Sequence, residues 1–200
     1  MLSGFVGQSV LNCYKLAIRA RSKLFSLLIR GAFARFGRNS VLQCPARTSG
    51  EERIEIGDGV FIGANSWLQT LPDGQNASSA LLIKDGTSIA GGCVLSAVRS
   101  LVLEENVLLA RNVYISDHMH RYTDTRQPVL SQGLDKVEPV LIRSGAWLGQ
   151  NVVVCPGVTV GRGSVIGANS VVTASIPDGC VAAGAPAKVL KAIHSEQIAS

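Results

Sequence analysis

The amino-acid sequence predicts a single domain built as a parallel β-solenoid, in which the chain winds in stacked coils, and three observations support this fold class. An aliphatic residue returns every six positions through much of residues 36–178. The composition combines 46% apolar residues with 21 glycines and only 5% aromatic residues, which suits short strands and frequent tight corners. A period of six fits neither the 3.6-residue period of an amphipathic helix nor simple strand alternation.

The repeat is clearest in the second half of the chain, where "IRSGAW LGQNVV VCPGVT VGRGSV IGANSV VTASIP" divides into six blocks of six. We call the first residue of each block its leader. Glycine, asparagine or aspartate is expected at the corners. The leaders of these blocks are Ile142, Leu148, Val154, Val160, Ile166 and Val172. Upstream leaders are Ile56, Ile62, Leu68, Ile83, Ile89, Leu95, Leu103, Leu109 and Ile115, with a fainter copy at Phe36 and Leu42.

Three blocks close a triangular coil of 18 residues, since each block runs straight and then turns. About five coils are therefore predicted, with insertions at residues 69–80 and 116–138. No coil can bury its leaders alone, so stacking must build the core.

The two flanks have a different pattern. Residues 1–35 show apolar positions at helical spacing with basic residues between them, which predicts one or two amphipathic helices that cap the first coil. Residues 36–178 form the solenoid. Residues 179–200 are expected to form a final strand and a short helix that close the other end.

Charge is distributed unevenly along the chain, although the formal net charge is +5. Eight basic residues and no acidic residue precede Glu51, so the remaining 11 basic and 14 acidic residues give −3. A solvated helical face explains the basic segment, and contact with anionic lipid head groups is the alternative. We expect no nucleic-acid partner.

The location of the protein is expected to be cytoplasmic. No apolar run reaches the length of a membrane-spanning helix, and the first residues make a poor signal peptide. The five cysteines form no CxxC pair, which argues against a zinc ribbon or a redox motif. Peripheral contact with the inner face of a membrane is a hypothesis that the basic segment raises.

The repeats, together with "AAGAPAKVLK" near the C-terminus, resemble the hexapeptide-repeat acyltransferases, and the resemblance covers roughly residues 36–192. The segment "ISDHMH", the long loop after it and the return at "PVLIRSGAWLG" resemble the branch of galactoside, maltose and polysaccharide O-acetyltransferases. This resemblance implies a left-handed β-helix and a homotrimer with sites between subunits. It also implies acetyl-CoA as co-substrate, a catalytic histidine, and no metal or prosthetic group.

Acetyl transfer to a hydroxyl needs a general base, and histidine suits this role near neutral pH. The resemblance assigns the base to His118, with His120 as a second possibility. His118 follows the leader Ile115 by three residues and so lies near a coil corner. Asp117 is adjacent and is expected to orient an imidazole, its own or a neighbouring subunit's. His118 and His120 leave only the distant His194 as a third zinc ligand, which argues against metal.

The inserted loop and the last coils carry the predicted binding residues. Arg121, Tyr122 and Arg126 belong to a polar loop that suits a polyhydroxyl acceptor or, equally, a clasp on the next subunit. The resemblance maps acetyl-CoA contacts onto Gln150, Ala168, Thr173 and Lys188. Ala174 departs from the lysine that many relatives carry there, so either one phosphate contact is missing or Arg162 or Lys191 supplies it. Trp147 is expected to pack at the subunit boundary or to form a substrate platform.

The sequence therefore predicts an O-acetyltransferase that moves an acetyl group from acetyl-CoA to a sugar or polysaccharide-precursor hydroxyl in a ternary complex. Cys93 and Cys155 lie in regular blocks and are not expected to be nucleophiles. One alternative is acetylation of an antibiotic, another xenobiotic or an amino-sugar nitrogen. Another is a membrane-associated scaffold without catalysis.

Overall fold

The computed structural model describes residues 2–72 and 79–193. Its core is a three-sided solenoid in which each coil contributes one strand to each of three parallel sheets. We name these sheets the first, second and third faces, in the order in which the chain passes through them.

Each face contains one short strand from each of six coils. The first face comprises Arg35–Phe36, Ile54–Ile56, Leu81–Ile83, Leu101–Leu103, Val140–Ile142 and Thr159–Val160. The second face comprises Val41–Leu42, Phe61–Ile62, Ser88–Ile89, Leu108–Leu109, Trp147–Leu148 and Val165–Ile166, followed by Cys180–Gly184 and Ala187–Ala192. The third face comprises Arg47–Ser49, Trp67–Thr70, Val94–Ala97, Tyr114–Ser116, Val153–Val154 and Val171–Val172.

The leaders point inward, as the period predicts. Those from Leu42 to Val172 are 0–1% exposed, while Phe36 is half-buried. The strand register stacks each leader on the one below it, so that Ile115 lies between Leu95 and Val154. Burial of each such side chain contributes roughly 1.5–3 kcal/mol, and the column makes one continuous core. The faint copy that begins at Phe36 supplies the sixth coil.

Asparagine and glycine take the two regular corners, three residues after the leader. These residues have φ angles near +60° to +80°, a left-handed conformation that disfavours a β-carbon. The corner residues with positive φ include Asn39, Gly59, Asn65, Gly86, Gly92, Asn106, Asn112, Gly145, Asn151, Gly163 and Asn169. Side-chain hydrogen bonds join Asn112 to Asn151 at 3.2 Å and Asn151 to Asn169 at 2.9 Å.

The third corner, between the third and first faces, holds nearly all of the irregularity. Extra residues follow the third-face strand in four successive coils, at 50–53, 71–80, 98–100 and 117–139. The insertions predicted at 69–80 and 116–138 are therefore at one edge of the prism. A site that needs more than a smooth repeated surface can form only at this edge.

A single helix, α1 (Leu2–Ile29), precedes the solenoid and is followed by a 3₁₀ turn at Arg30–Ala32. Its last turns contact the solenoid through Ser22, Phe25, Ser26 and Ile29, and the guanidinium of Arg21 donates to the carbonyl of Cys44 at 3.4 Å. The hydroxyl of Ser26 accepts a hydrogen bond from the backbone N–H of Leu42 at 2.9 Å and donates one to the carbonyl of Ser22 at 2.7 Å. The helix thus caps the edge of the first coil.

Within the described part of the chain, no helix has both the length and the apolar character needed to cross a bilayer.

The C-terminal cap is a hairpin on the second face. Cys180–Gly184 pairs in parallel with Val165–Ile166, and the chain then returns antiparallel as Ala187–Ala192. The expected final strand is present. The expected short helix falls on residues 194–200, outside the described residues.

Candidate active site

His118 occupies the place of a corner residue. It stands three residues after the leader Ile115, where the regular corners carry asparagine or glycine. Instead of turning, the chain leaves the solenoid and returns at Glu138, whose backbone N–H donates to the carbonyl of Asp117 at 2.8 Å. The two ends of the inserted loop are therefore tied together, and His118 is fixed beside that tie.

Asp117 is completely buried beneath the corner. Its Oδ1 accepts hydrogen bonds from the backbone N–H of Val98 at 2.8 Å and from Nδ1 of His118 at 2.9 Å. Its Oδ2 accepts from the backbone N–H groups of Arg99 at 2.7 Å and Ser100 at 2.9 Å. The extra residues of the preceding coil thus form a backbone clamp around the carboxylate.

The hydrogen bonds from His118 and from the clamp decide the charge of Asp117. Burial by itself raises the pKa of this carboxyl, but the hydrogen bonds from His118 and from the backbone N–H groups of Arg99, Val98 and Ser100 outweigh it. The pKa of Asp117 therefore lies below its ordinary value, and the group is ionised at neutral pH.

An ionised Asp117 also fixes the tautomer of His118. A carboxylate only accepts hydrogen bonds, so Nδ1 of the imidazole must carry the proton and Nε2 must hold the free lone pair. Among the described residues, Nε2 has no hydrogen-bond partner. Asp117 therefore orients the imidazole of its own chain and leaves Nε2 able to take a proton.

Ser116 supports the backbone of His118. Its hydroxyl accepts from the N–H of His118 at 3.2 Å and donates to the carbonyl of the same residue at 2.9 Å. The hydroxyl also lies 3.2 Å from Nδ1. Sequence reasoning did not select this serine.

A cavity of about 500 Å³ opens on the third face in front of His118. This volume is within the usual range of small-molecule sites. Its walls are Trp67, Gln69, Leu71, Val94, Ser96, Tyr114, Ser116, His118, Met119, His120, Val153, Val154, Cys155 and Pro156. A mostly apolar wall thus meets a few polar groups next to a buried histidine, which is 9% exposed.

Gln69, Ser96 and Ser116 form a polar ladder within this wall. They are register partners in three successive coils, each directly after a leader, and the amide nitrogen of Gln69 donates to the hydroxyl of Ser96 at 2.9 Å. The sequence signal that could have identified them is a polar residue that recurs directly after the third-face leader in successive coils.

His120 lines the same cavity on a different element. It belongs to the strand Met119–His120, which pairs antiparallel with Leu134–Asp135, and its side chain is exposed. The structure thus brings His118, Asp117 and His120 together. His194 lies outside the described residues.

The three residues predicted to bind the acceptor lie in the exposed loop that joins these two strands. Tyr122 is exposed, and the backbone N–H of Arg121 donates to the carbonyl of Gly133 at 3.0 Å. The guanidinium of Arg126 holds both oxygens of Asp124, at 2.9 and 3.0 Å, which lowers the pKa of that carboxyl. Arg126 is therefore engaged in shaping the loop.

The four residues mapped onto acetyl-CoA do not form one cluster within a single chain. Gln150 and Ala168 occupy the same corner in consecutive coils, where the N–H of Asn169 donates to the carbonyl of Gln150 at 2.8 Å. Thr173 lies after the last strand of the third face. Lys188 is exposed in the C-terminal hairpin, paired with Ala183.

Two cysteines bear on the chemistry. Cys93 is buried in the core, where burial raises the pKa of its thiol and disfavours a nucleophilic thiolate. Cys155 is half-buried and borders the cavity. Among residues 2–72 and 79–193, no three histidine, cysteine, aspartate or glutamate side chains are grouped so as to hold a metal ion.

Comparison with known proteins identifies the repeat. The family model for bacterial transferase hexapeptide (six repeats) matches residues 139–174, and the model for the hexapeptide repeat of succinyl-transferase matches residues 53–68. The putative lipopolysaccharide biosynthesis O-acetyl transferase WbbJ of Escherichia coli (strain K12) is 30% identical over 168 residues, which is 80% of this chain and 83% of that protein. The galactoside O-acetyltransferase of the same organism is 32% identical over 167 residues, covering 84% and 68%.

Solved structures share the fold. AntD, an N-acyltransferase from Bacillus cereus in complex with dTDP and 3-hydroxybutyryl-CoA, superposes with a TM-score of 0.71 at 18% identity, covering 84% of this chain and 87% of that one. The hexapeptide-repeat-containing acetyltransferase VCA0836 of Vibrio cholerae, complexed with acetyl coenzyme A, gives 0.55 at 24% identity, with 89% and 88% coverage. The solenoid is the left-handed parallel β-helix that the resemblance implied. The chain belongs to the hexapeptide-repeat acyltransferase family.

Proposed function

We propose that this protein is an O-acetyltransferase that moves the acetyl group of acetyl-CoA to a hydroxyl of a sugar or polysaccharide precursor. The observation that carries the proposal is the imidazole of His118, whose Nδ1 is bound by the buried carboxylate of Asp117 at 2.9 Å, at the edge of a cavity of about 500 Å³. The relatives named for lipopolysaccharide and galactoside acetylation support a sugar acceptor.

The proposed step is direct. Nε2 of His118 takes the proton of the acceptor hydroxyl while the oxygen attacks the thioester carbonyl. The carbon–sulfur bond then breaks, the thiolate of coenzyme A leaves, and the proton on His118 neutralises it. Asp117 stays ionised and stabilises the imidazolium that forms between these events.

We further propose that the working unit is a homotrimer. The outward column of the second face places Phe61, Leu108 and Trp147 in register, and each is 42–47% exposed. The outward column of the third face, which includes Tyr114, borders the cavity. Packing the outward column of the second face on the outward column of the third face of a neighbouring subunit would bury both columns and close the cavity.

A trimer would also explain why the four residues mapped onto acetyl-CoA do not form one cluster within a single chain. Gln150 and Ala168, at one corner, and Thr173, at the next, lie on different edges of one chain. A groove between two subunits is the arrangement in which such edges face each other, with Lys188 and either Arg162 or Lys191 as contacts for phosphate.

The test is thiol release from acetyl-CoA across a panel of mono- and oligosaccharides, nucleotide sugars and hydroxylated antibiotics. We expect release only with an acceptor that has a free hydroxyl, and a product acetyl group that mild alkali removes as an ester. An alkali-stable product would identify nitrogen as the acceptor. No release with any member of the panel would favour a scaffold without catalysis.

The order of substrate binding tests whether Cys155 takes part. Direct transfer predicts intersecting double-reciprocal plots, because both substrates must be bound together. An acetyl-cysteine intermediate would give parallel plots. It would also make the enzyme about 42 Da heavier, the mass added by one acetyl group, after incubation with acetyl-CoA alone.

A further inference from the structure

One side of α1 carries apolar side chains that are exposed to solvent. Val6, Val10, Tyr14, Leu24 and Leu28 are each at least 55% exposed. At 3.6 residues per turn they fall within about 80° of the helix circumference, and we call them the apolar stripe. Arg21 lies in the same sector, and its guanidinium donates to the carbonyl of Cys44 at 3.4 Å. Such a stripe normally faces an apolar neighbour.

A second side of the helix is basic. Lys15, Arg19 and Lys23 follow one another at intervals of four and form what we call the basic stripe, which Arg30 continues beyond the helix. The helix contains no acidic residue. Within the described chain, none of the three residues of the basic stripe takes part in an ion pair.

The contact with the solenoid uses a third side of α1. Ser22, Phe25, Ser26 and Ile29 face the first coil and are buried or half-buried. The solenoid thus holds the C-terminal end of the helix. The apolar stripe lies outside this contact, and the basic stripe borders it, since Arg19 and Lys23 line cavities between the helix and the first coils.

We propose that α1 binds the surface of an anionic phospholipid bilayer, with the apolar stripe inserted among the acyl chains and the basic stripe at the head groups. Such a surface complements both stripes at once. A second copy of α1 would cover the apolar stripe but would leave the basic stripe, on the opposite side of the helix, without an acidic partner. Residues 51–200 carry −3, so the excess of positive charge lies within residues 1–50 and orients the molecule.

Vesicle co-sedimentation of the full chain tests the basic stripe. We expect binding to vesicles of phosphatidylglycerol and phosphatidylcholine and little binding to phosphatidylcholine alone. Lys15→Gln with Arg19→Gln is expected to weaken binding about 25-fold, since each basic residue near an anionic surface contributes about fivefold. The matched control, Arg111→Gln with Lys136→Gln, removes the same charge from the solenoid and its loop and should bind like the unaltered chain.

The apolar stripe is tested with Val10→Gln and Leu24→Gln, which place a good helix former at each position of α1. We expect at least a tenfold loss of vesicle binding, whereas Val129→Gln with Leu130→Gln, which also removes two exposed apolar side chains, leaves binding unchanged. Far-UV circular dichroism checks that each variant keeps its helix.

Several results would overturn the proposal. The first is equal binding to neutral and anionic vesicles. The second is an equal loss of binding in Lys15→Gln with Arg19→Gln and in the control Arg111→Gln with Lys136→Gln. The third is vesicle binding that survives the apolar substitutions. The proposal also fails if Val10→Gln with Leu24→Gln lowers the oligomeric mass in the absence of vesicles, because another copy of the chain would then cover the apolar stripe.

Discussion

At the scale of single residues, the reactivity proposed for His118 depends on one buried carboxylate. Asp117 receives four hydrogen bonds, three of them from the backbone of the preceding coil. It therefore links the stability of the third corner to the orientation of the imidazole, and one substitution should affect both.

Asp117→Asn should show this double effect. The amide removes the negative charge and points an N–H₂ group at backbone donors, so that a buried polar group is left without a partner. We expect a loss of about 1–3 kcal/mol in the free energy of unfolding at pH 7, measured by urea denaturation. We also expect at least a tenfold lower kcat in the thiol-release assay. Unchanged values of both quantities would contradict the clamp.

The same carboxylate predicts a dependence of stability on pH. Because the pKa of Asp117 is lower in the folded than in the unfolded protein, its contribution is present above the unfolded value of about 3.9 and is lost as the pH falls through the folded value. The difference in unfolding free energy between the unaltered protein and Asp117→Asn should therefore stay constant from pH 7 down to about pH 5 and shrink as the pH falls below about 4. A constant or growing difference would exclude this linkage.

The residues of the site differ in how far the sequence reveals them. His118 and Asp117 could be predicted because they interrupt a repeat within a short motif. The backbone clamp of Val98, Arg99 and Ser100, and the ladder of Gln69 and Ser96, could not, because they meet the motif only when coils stack. The clamp residues lie 17–19 positions from Asp117 and Gln69 lies 27 positions from Ser96, and only the strand register fixes which of these residues meet.

At the scale of elements, the corners set the shape of each coil. Gly163 has a φ of 62°, and a β-carbon at this position would meet no atom within 4 Å. Substitution here therefore tests backbone conformation without steric interference from neighbours.

Gly163→Ala is expected to lower the free energy of unfolding by about 1 kcal/mol, which corresponds to about 2–4 °C in Tm for a chain of this size. Gly163→Asn should lower it by less than half as much, since Asn39 and Asn106 hold the equivalent corner in other coils. Differential scanning calorimetry measures both. Equal losses of unfolding free energy in the two variants would show that the left-handed backbone conformation does not determine which residues these corners accept.

The inserted loop can be shortened without cutting the solenoid. His120 and Leu134 face each other at the end of the hairpin, so an Asn-Gly turn can replace residues 121–133. We expect the Tm to change by less than about 4 °C and the KM for the acceptor to rise at least tenfold, with the affinity for acetyl-CoA retained. If the loop is instead a subunit clasp, the oligomeric mass will fall while the acceptor KM of any remaining trimer stays the same.

Most elements of the solenoid were predictable, since the period of six reports the inward column directly. The coil count was less certain, because Phe36 and Thr48 make the first coil irregular, and Thr48 takes the place of a leader. The number of N-terminal helices could not be decided from apolar spacing. α1 is one helix because no proline interrupts residues 2–29.

At the scale of the whole molecule, the proposed trimer assigns a partner to the exposed stripes of the second and third faces. Trp147 is 47% exposed at the middle of the second-face column. Large aromatic side chains of this kind often dominate the energetics of an interface.

Trp147→Glu should separate the subunits. We expect a mass of about 63 kDa for the unaltered protein, three times the 21.0 kDa of one chain, and 21.0 kDa for the variant, by light scattering after size exclusion. Activity should fall at least tenfold, because the cavity would lose its second wall. Val102→Glu introduces the same carboxylate on the outward side of the first face and should remain trimeric. Trimeric Trp147→Glu would contradict the proposed interface.

The central claim is that Nε2 of His118 is the general base, and His118→Asn tests it most directly. The asparagine amide retains a donor near the position of Nδ1, so that the hydrogen bond to Asp117 can persist while Nε2 is removed. We expect a folded protein of unchanged oligomeric mass whose kcat for acetyl transfer is about 10²–10⁴-fold lower, with His120→Asn losing far less. Full activity in His118→Asn, or the larger loss in His120→Asn, would contradict the account.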